Sequence, residues 1–288
     1  MNDVVVVGSL HLDIMVEAPR FPGRDETLMG SAWRYKCGGK GGNQAVAAAS
    51  SDVRTAFVGR VGRDDFGERL CNNLKSAGVD ISYVEVDAAC ASGMSVAIQE
   101  ADGEYGAVVV SGANGAIDPE KVAKDWSSLW NCKVLLLQNE IPEAVNISAA
   151  KAMKTSSGQV LLNAAPVRAM SPALLDLVDV LIVNRVEAAM LAGFAVESVV
   201  DAERAASELA TTARDVVVTL GGEGLVLRTR GGTVSHIAAV PVTVQSSHGA
   251  GDCFCGTLAA RLSQGNALGD ACQQASAAAA AFVSASCA

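Results

Sequence analysis

Hydrophobic residues in this chain form short, nearly uninterrupted runs that alternate with stretches of helical spacing. In those stretches apolar side chains recur every three or four residues, as at Leu70 and Leu74 and at Val122, Trp126 and Leu129, the spacing of one buried helix face. The runs are typical of strands buried on both faces. They are Val4–Val7, Thr55–Val58, Val134–Leu137, Val160–Leu162, Val180–Val183 and Val216–Thr219. The alternation predicts an α/β fold with a mainly parallel sheet between two layers of helices.

Two stretches, residues 11–36 and 93–110, break this alternation. The first contains two strand-like pieces, the second of which is Leu28–Tyr35, and the other stretch predicts a hairpin about the Asp102-Gly103 turn. Because both flank a glycine-rich segment, we interpret them as a small sheet that covers this segment as a lid. The alternative is that they are edge strands of the main sheet. The predicted organisation is a body of residues 1–10, 37–92 and 111–288 and a lid of residues 11–36 and 93–110.

Composition narrows the classes of partner. Half of the 288 residues are apolar and 18% are charged, which allows a large core and excludes global disorder. With 22 Lys and Arg against 31 Asp and Glu, the net charge of −9 argues against nucleic acid as a partner. A small anion stays compatible with it, because backbone N–H groups and one lysine bind a phosphate locally.

The N-terminus and the cysteines indicate a cytoplasmic protein. The run of four valines near the N-terminus is too short for a signal peptide, and no apolar run approaches the roughly 20 residues that span a bilayer. We therefore expect no membrane partner. The eight cysteines form no C-x-x-C pair, and Cys253 and Cys255 have no histidine at zinc spacing. We expect reduced, mostly buried thiols.

The most unusual segment is the glycine-rich run from Cys37 to Gln44. Its four glycines permit close approach of the backbone to a ligand, and a helical pattern follows at once. It is not a Walker A loop, because Gly41 stands where that motif has Ser or Thr. By itself the run is also compatible with a structural turn before a helix.

A second candidate segment runs from Ser246 to Asp252. The pattern of Phe254, Leu258 and Leu262 predicts a helix after it, with Asp252 in the first turn. N–H groups at such a helix start favour an anion. A neighbouring aspartate suits a base that takes a proton from a hydroxyl during phosphate transfer. The alternative is that Asp252 only caps its helix.

Both segments belong to a series of motifs that extends over nearly the whole chain. In order, the series is Gly8-Ser9 with Asp13, GGKGGNQA at 38–45, GRVGRDDFG at 59–67, SGAN at 111–114, Asn184–Glu187, Thr219–Gly224 and Gly249–Asp252. The series resembles the ribokinase-like, phosphofructokinase-B family of sugar and nucleoside kinases. The resemblance implies a three-layer α/β/α body with a β-sheet lid. It also implies transfer of the γ-phosphate of ATP, with Mg²⁺, to a primary hydroxyl of a pentose-like sugar, for which ribose is the leading candidate.

The resemblance assigns a role to each matching position. Residues implied in sugar binding are Asp13, Gly39, Lys40, Gly41, Gly42, Asn43, Glu140 and Asp252. Carboxylate and amide groups suit this role, because they bind neighbouring hydroxyls by paired hydrogen bonds. Asp252 also matches the catalytic base. The implied anion hole consists of Gly249, Ala250 and Gly251.

The remaining implied roles concern ATP, the metal and the lid. Residues implied around ATP are Asn184, Thr219, Gly221, Gly224 and Gly251. Glu187 matches a Mg²⁺ position that acts through water, which agrees with the preference of this ion for oxygen ligands. The lid is implied to exclude water from the transfer and to form the contact of a homodimer.

Three features depart from the family pattern. His11 stands where relatives have Asn beside the sugar, so we expect it among the substrate-binding residues, where it alters the sugar preference. Ser246 replaces an Asp that helps to bind an activating monovalent cation, and the sequence stops at Ala288, where relatives continue. These two departures argue against activation by potassium. They leave Ser246 and His248 as candidates for a weak or lost cation site.

Two other functions stay open on the sequence. The first is a nucleoside kinase of the same family, although Trp33 and Tyr35 are the only evident aromatic residues in the predicted lid that suit base stacking. The second is a non-catalytic relative that binds a sugar or nucleotide as a sensor. The intact Gly249–Asp252 motif argues against a sensor, because binding alone does not need a base.

Overall fold

The structure is a computed structural model that describes residues 2–100, 105–210, 215–232 and 234–285. The predicted Asp102-Gly103 turn lies outside the described residues. Strands in chain order are β1 (Val4–Val7), β2 (His11–Glu17), β3 (Ala32–Gly38), β4 (Thr55–Gly62), β5 (Asp80–Asp87), β6 (Gly93–Gln99), β7 (Tyr105–Val110), β8 (Val134–Gln138), β9 (Gln159–Asn163), β10 (Val180–Asn184), β11 (Asp215–Thr219), β12 (Leu225–Arg228) and β13 (Val234–Ile237).

Helices alternate with the strands of the body. In chain order they are α1 (Lys40–Ala49), α2 (Asp65–Ser76), α3 (Pro119–Lys124), α4 (Glu143–Met153), α5 (Pro172–Leu175), α6 (Arg185–Ala192), α7 (Val199–Leu209), α8 (Ala250–Ser263) and α9 (Leu268–Ser284). Short 3₁₀ turns lie at Gly112–Ala116, Ser127–Leu129 and Gly221–Glu223. None of the described helices has the length and apolar character needed to cross a membrane.

The main sheet contains nine strands in the order β13-β12-β11-β10-β9-β8-β1-β4-β5. All six predicted strands lie at its centre and pair in parallel, which confirms the predicted fold class. At one edge β5 adds a further parallel strand, and at the other β12 and β13 pair antiparallel. The two outermost strands, β5 and β13, have mixed polar and apolar residues because one side of each lacks a neighbouring strand.

Alternate residues of the central strands pack into different halves of the core. Val5 and Val7 belong to one apolar cluster, whereas Val4 and Val6 belong to the other, on the opposite face of the sheet. One helix prediction was too long: α3 ends at Lys124, and a 3₁₀ turn follows at Ser127–Leu129. Apolar side chains of this segment are nevertheless buried, so burial alone produced the pattern that indicated one helix.

The four strands from the two unusual stretches form a second sheet in the order β3-β2-β6-β7. They are therefore not edge strands of the main sheet. β3 begins at Ala32, four residues after the predicted start. The central pair, β2 and β6, is parallel, and the outer pairs are antiparallel.

Candidate active site

The predicted site residues converge at the carboxyl ends of the central parallel strands, the usual ligand-binding edge of such sheets. Two helix starts face this edge. α1 begins directly after β3, and α8 begins at Ala250. Glu140 follows β8, Glu187 lies in the first turn of α6 after β10, and Gly221 begins the 3₁₀ turn after β11.

Glycines of the first motif pack against the segment that follows β1. Gly39 caps α1 with a φ of 86°, and a Cβ there would lie 2.8 Å from backbone atoms of Leu10 and His11. A Cβ on Gly41 would lie 2.7 Å from the backbone nitrogen of Ser9, and one on Gly42 would lie 2.7 Å from the Leu10 side chain. The glycines therefore bring the start of α1 against the segment that follows β1.

Asp252 lies in the first turn of α8 and is 8% exposed. Asn43 Nδ2 donates to its Oδ2, and Gln44 Nε2 donates to its Oδ1, both at 3.0 Å. Burial raises the pKa of Asp252 above its ordinary value, while Lys40 and the two amides oppose this effect. Two residues of α1 therefore hold this carboxylate. The alternative that Asp252 only caps its own helix does not account for these contacts.

Lys40 provides the cationic side chain at this carboxylate. Burial by itself would lower the pKa of Lys40, but the charges of Asp252, Glu140 and Glu187 outweigh burial and raise it. The lysine therefore remains protonated and reduces the repulsion among three carboxylates.

Glu140 joins the end of β8 to the start of α1. It accepts hydrogen bonds from the Ser9 hydroxyl and, at 2.8 Å, from the Lys40 backbone N–H. Nδ1 of His11 lies 3.8 Å from Glu140 Oε2. His11 is only 4% exposed and its Nε2 is buried without a hydrogen-bond partner in the described structure.

Asp13 lies on the smaller sheet, in β2. Ser95 on the neighbouring strand β6 donates to Asp13 Oδ1 at 2.5 Å. Gly38 leaves room for this carboxylate, because a Cβ at that position would lie 2.3 Å from Asp13 Oδ2. His11 and Asp13 are two residues apart on one strand, so both face the same side of the sheet.

A cavity of about 480 Å³ lies beside α8 and α9. All five residues predicted around ATP line it: Asn184, Thr219, Gly221, Gly224 and Gly251. Most of the remaining wall is apolar and includes Val240, Val242, Val244, Ala279 and Val283. No motif marks these apolar residues, and the sequence analysis did not identify them.

A smaller cavity of about 170 Å³ connects this region with Asp252. Its wall includes Lys40, Asn163, Glu187, Gly249 and Asp252. Asn184, Thr219 and Gly251 line both cavities. The two cavities therefore adjoin each other beside the buried carboxylate of Asp252.

Asn184 and Glu187 have a structural role at the start of α6. The Asn184 side chain accepts the Glu187 N–H, and Glu187 Oε2 accepts the Asn184 N–H, each at 2.8 Å. This is a capping box, which satisfies two N–H groups at a helix start. Burial raises the pKa of Glu187 above its ordinary value. The motif thus stabilises its own helix, and both residues also line the smaller cavity.

The predicted anion hole lies at the start of α8. Gly249 caps this helix with a φ of 91°, a left-handed conformation that favours glycine. The Ala250 N–H donates to the Ser247 carbonyl at 3.2 Å. The preceding loop is fixed to the end of α9, because Gln245 and Ser246 donate to the Val283 carbonyl at 2.8 and 3.4 Å. Ser246 and His248, the candidates for a weak or lost cation site, both lie in this loop.

Three further polar residues of the site were missed by the sequence analysis. Gln44 binds Asp252, Asn163 Oδ1 accepts from Gln44 Nε2 at 3.1 Å, and Ser95 binds Asp13. Gln44 lies within the quoted glycine motif, which was the one available signal. Asn163 and Ser95 end or interrupt ordinary strand patterns.

A nucleotide-sized cavity that adjoins a buried aspartate at a helix start defines a phosphotransferase with the ribokinase-like fold. A family model described as pfkB family carbohydrate kinase matches residues 1–288. The chain belongs to this family of carbohydrate kinases.

Individual relatives agree with this membership. The chain is 31% identical to a ribokinase of Lactococcus lactis over 272 residues, which cover 94% of this chain and 87% of the relative. It is 31% identical to a deoxyribokinase of Salmonella typhi over 259 residues, which cover 89% of this chain and 84% of the relative. The structure of an Arabidopsis thaliana ribokinase complexed with ribose and ATP matches with a TM-score of 0.94 at 31% identity. The match covers 100% of this chain and 94% of the other.

Proposed function

We propose that the protein is an ATP-dependent sugar kinase that transfers the γ-phosphate to the primary hydroxyl of a pentose, with ribose as the leading candidate. The observation that carries the proposal is the position of Asp252, a buried carboxylate in the smaller cavity, which adjoins the nucleotide-sized cavity. The ribokinase of Lactococcus lactis and the Arabidopsis complex with ribose and ATP support these substrates.

The proposed sugar site combines the body with the smaller sheet. Asp13 approaches from β2, whereas Asn43 and Glu140 belong to the body. The other proposed sugar contacts are Gly39, Lys40, Gly41 and Gly42. Since carboxylate and amide groups bind adjacent hydroxyls in pairs, this set suits a polyol whose primary hydroxyl points at Asp252.

His11 is the proposed sugar contact that sets this chain apart from the family pattern. Its buried Nε2 without a partner supports contact with a sugar hydroxyl, because buried polar atoms nearly always have one. A ring nitrogen offers one donor or acceptor, whereas an amide offers both. The preference at one hydroxyl should therefore differ, and the deoxyribokinase relative makes 2-deoxyribose a necessary comparison with ribose.

In the proposed reaction Asp252 accepts the proton of the sugar hydroxyl. The hydroxyl oxygen attacks the γ-phosphorus, and ADP leaves. The N–H groups of Gly249 and Gly251, at the start of α8, stabilise the transferring phosphoryl group. The Ala250 N–H joins them once it is released from the Ser247 carbonyl. Nucleotide contacts come from Asn184, Thr219 and the glycines of the larger cavity.

Mg²⁺ is the proposed metal, and Glu187 would hold it through water. The donor set fits, because Glu187, Asn184 and Thr219 line one cavity and their side chains carry oxygen, the ligand atom that this ion prefers. Within the described residues no group of three or more His, Cys, Asp or Glu side chains could ligate a metal, so phosphate oxygens would complete the coordination. When bound, the metal neutralises charge on the phosphates.

Sugar-dependent release of ADP tests the proposal. The panel contains ribose, 2-deoxyribose, other pentoses, hexoses and nucleosides, each with ATP and Mg²⁺. We expect the highest kcat/KM with a pentose. Highest turnover with a nucleoside would replace the proposal by a nucleoside kinase, and sugar binding without any turnover would indicate a sensor. Repeating the panel with K⁺ checks the further proposal that Ser246 and His248 support no strong potassium activation; tenfold activation would contradict it.

We also propose that the smaller sheet, from residues 11–36 and 93–110, is a lid and forms a homodimer contact. The face of this sheet opposite Asp13 carries the exposed side chains of Trp33, Tyr35, Val96, Val108 and Val110. Within the described strands, no charged residue lies on this face. A large apolar surface of this kind indicates a protein contact. We expect a dimer in light scattering that Val108→Glu converts to a monomer. A monomeric wild type would remove this proposal.

The cytoplasm is the proposed location. All seven cysteines of the described residues are free, which agrees with a reducing compartment. Fractionation of the producing cells, with detection of the protein by antibody, checks this location.

A further inference from the structure

Gln44 connects three elements of the site. It belongs to α1 and is fully buried. Its Nε2 donates to Asp252 Oδ1 on α8 at 3.0 Å and to Asn163 Oδ1 at the end of β9 at 3.1 Å. Both hydrogens of this amide are therefore used to fix one carboxylate relative to the sheet.

The two oxygens of Asp252 have different surroundings. Oδ1 is bound by the fully buried Gln44, whereas Oδ2 is bound by Asn43, which is partly exposed and belongs to the proposed sugar contacts. Oδ2 is therefore the oxygen on the substrate side, and Oδ1 lies on the protein side.

Close packing of α1 against α8 brings Gln44 within hydrogen-bond distance of Asp252. A Cβ on Gly256 in α8 would lie 2.3 Å from the Gln44 carbonyl oxygen and 2.7 Å from the Ala47 Cβ. Small residues thus allow α1 and α8 to approach, and the amide reaches the carboxylate over one hydrogen bond.

The other end of the amide shows that packing alone does not explain Gln44. Its Oε1 is buried and has no hydrogen-bond partner in the described structure. A buried acceptor without a partner destabilises the fold, and an apolar side chain of similar shape would avoid that cost. The contribution of this amide lies in its donor group.

We propose that Gln44 is a positioning residue, which holds Asp252 Oδ1 so that Oδ2 faces the sugar hydroxyl. This inference rests on the proposed function, because it requires Asp252 to act as the base. A displacement of a reacting group by about 1 Å can cost 10²-fold in rate, so the orientation of one carboxylate has a measurable effect on kcat.

The test compares Gln44→Met and Gln44→Leu with the wild type. Both substitutions remove the N–H donor and introduce an apolar side chain of similar size. We expect kcat to fall about 10- to 100-fold, while KM for the sugar and for ATP stays within about 3-fold because Gln44 contacts neither substrate. Asn43→Ala, at the neighbouring residue, should instead raise KM for the sugar as well.

Met153→Ala controls for loss of stability. Met153 is fully buried beside Cys132 and Gly158, which lie just before β8 and β9. It therefore lies near the amino ends of these strands, whereas the site lies at their carboxyl ends. We expect it to lower the melting temperature and leave kcat unchanged. Suppose that the wild type is active. If either folded Gln44 variant then has the kcat of the wild type, or if its KM rises while its kcat does not fall, Gln44 does not position the base. A wild type without sugar-dependent ADP release would instead remove the proposed function itself.

Discussion

Asn114 binds the backbone of Leu10 twice: its Oδ1 accepts the Leu10 N–H at 2.9 Å, and its Nδ2 donates to the Leu10 carbonyl at 2.8 Å. Nδ2 also donates to the Ser111 carbonyl at 2.9 Å. One fully buried side chain therefore joins two of the segments that lead into the smaller sheet. Leu10 directly precedes β2, which carries His11 and Asp13.

Asn114→Ala should weaken both the fold and sugar binding. Loss of three hydrogen bonds, two of them buried, should reduce the free energy of unfolding by about 1–3 kcal/mol, as measured in urea. KM for the sugar should rise more than KM for ATP, because only the sugar contacts depend on Leu10 and β2. Met153→Ala, assayed at a temperature at which its free energy of unfolding equals that of Asn114→Ala, should leave both KM values unchanged. Equal rises in the two KM values would contradict a specific effect on β2.

Asp252→Asn should abolish most sugar-dependent ADP formation. A general base contributes about 10²- to 10⁴-fold to the rate, so kcat should fall by that factor. Binding of ATP, measured by calorimetry, should stay largely intact because the larger cavity does not include Asp252. Asp252→Ala should behave in the same way. Retention of most of the turnover in either variant would rule out the base assignment.

Asp13→Ala should raise KM for the sugar far more than KM for ATP. The carboxylate lies in β2, and the residues of the nucleotide cavity belong to the body. Ser95→Ala removes the hydrogen bond to Asp13 Oδ1 and should produce a smaller change in the same direction. Steady-state kinetics with each substrate varied in turn distinguish the two KM values. Equal effects on both would remove Asp13 from the sugar site.

Turnover should depend on the ionisation of Asp252. Burial raises the pKa of this carboxyl above the ordinary value of about 3.9. Because only the carboxylate accepts a proton, kcat should fall as the pH drops through that raised pKa. Lys40 lowers the pKa of Asp252, so Lys40→Met should move the acid limb of the kcat profile to higher pH. Arg54→Met, at a cation paired with Asp3 far from the site, should leave the limb in place. A limb that does not move in Lys40→Met would contradict this coupling.

Gly256→Ala should destabilise the contact between α1 and α8. The added Cβ would lie 2.3 Å from the Gln44 carbonyl, so the backbones must separate. Overpacking of this kind costs about 1–3 kcal/mol, and kcat should fall because Gln44 moves away from Asp252. Gly115→Ala is the control, since no atom beyond its own chain neighbours lies within 4 Å of its added Cβ. An unchanged melting temperature in Gly256→Ala would show that the two helices tolerate the separation.

The site divides into residues that a motif marks and residues that only contacts reveal. Asp252 and Lys40 belong to recognisable motifs, and all five residues expected around ATP line one cavity. Asn163 lies at the end of a strand whose pattern records only burial, and the apolar wall around Val242 belongs to no motif. Such residues escape prediction because their roles depend on which distant segments become neighbours.

Local patterns along the chain predict the central strands, the two helix starts and the candidate base, because periodicity and glycine placement are local consequences of burial and backbone geometry. Tertiary structure decided the rest. It set β5 and β13 at the sheet edges, placed β2 beside β6 in parallel, and turned Gly39 and Gly41 toward backbone. It also brought Gln44 to Asp252 and Asn163. The reason is that a hydrogen bond between residues some 200 positions apart requires close packing of helices and strands, which no local pattern along the chain records.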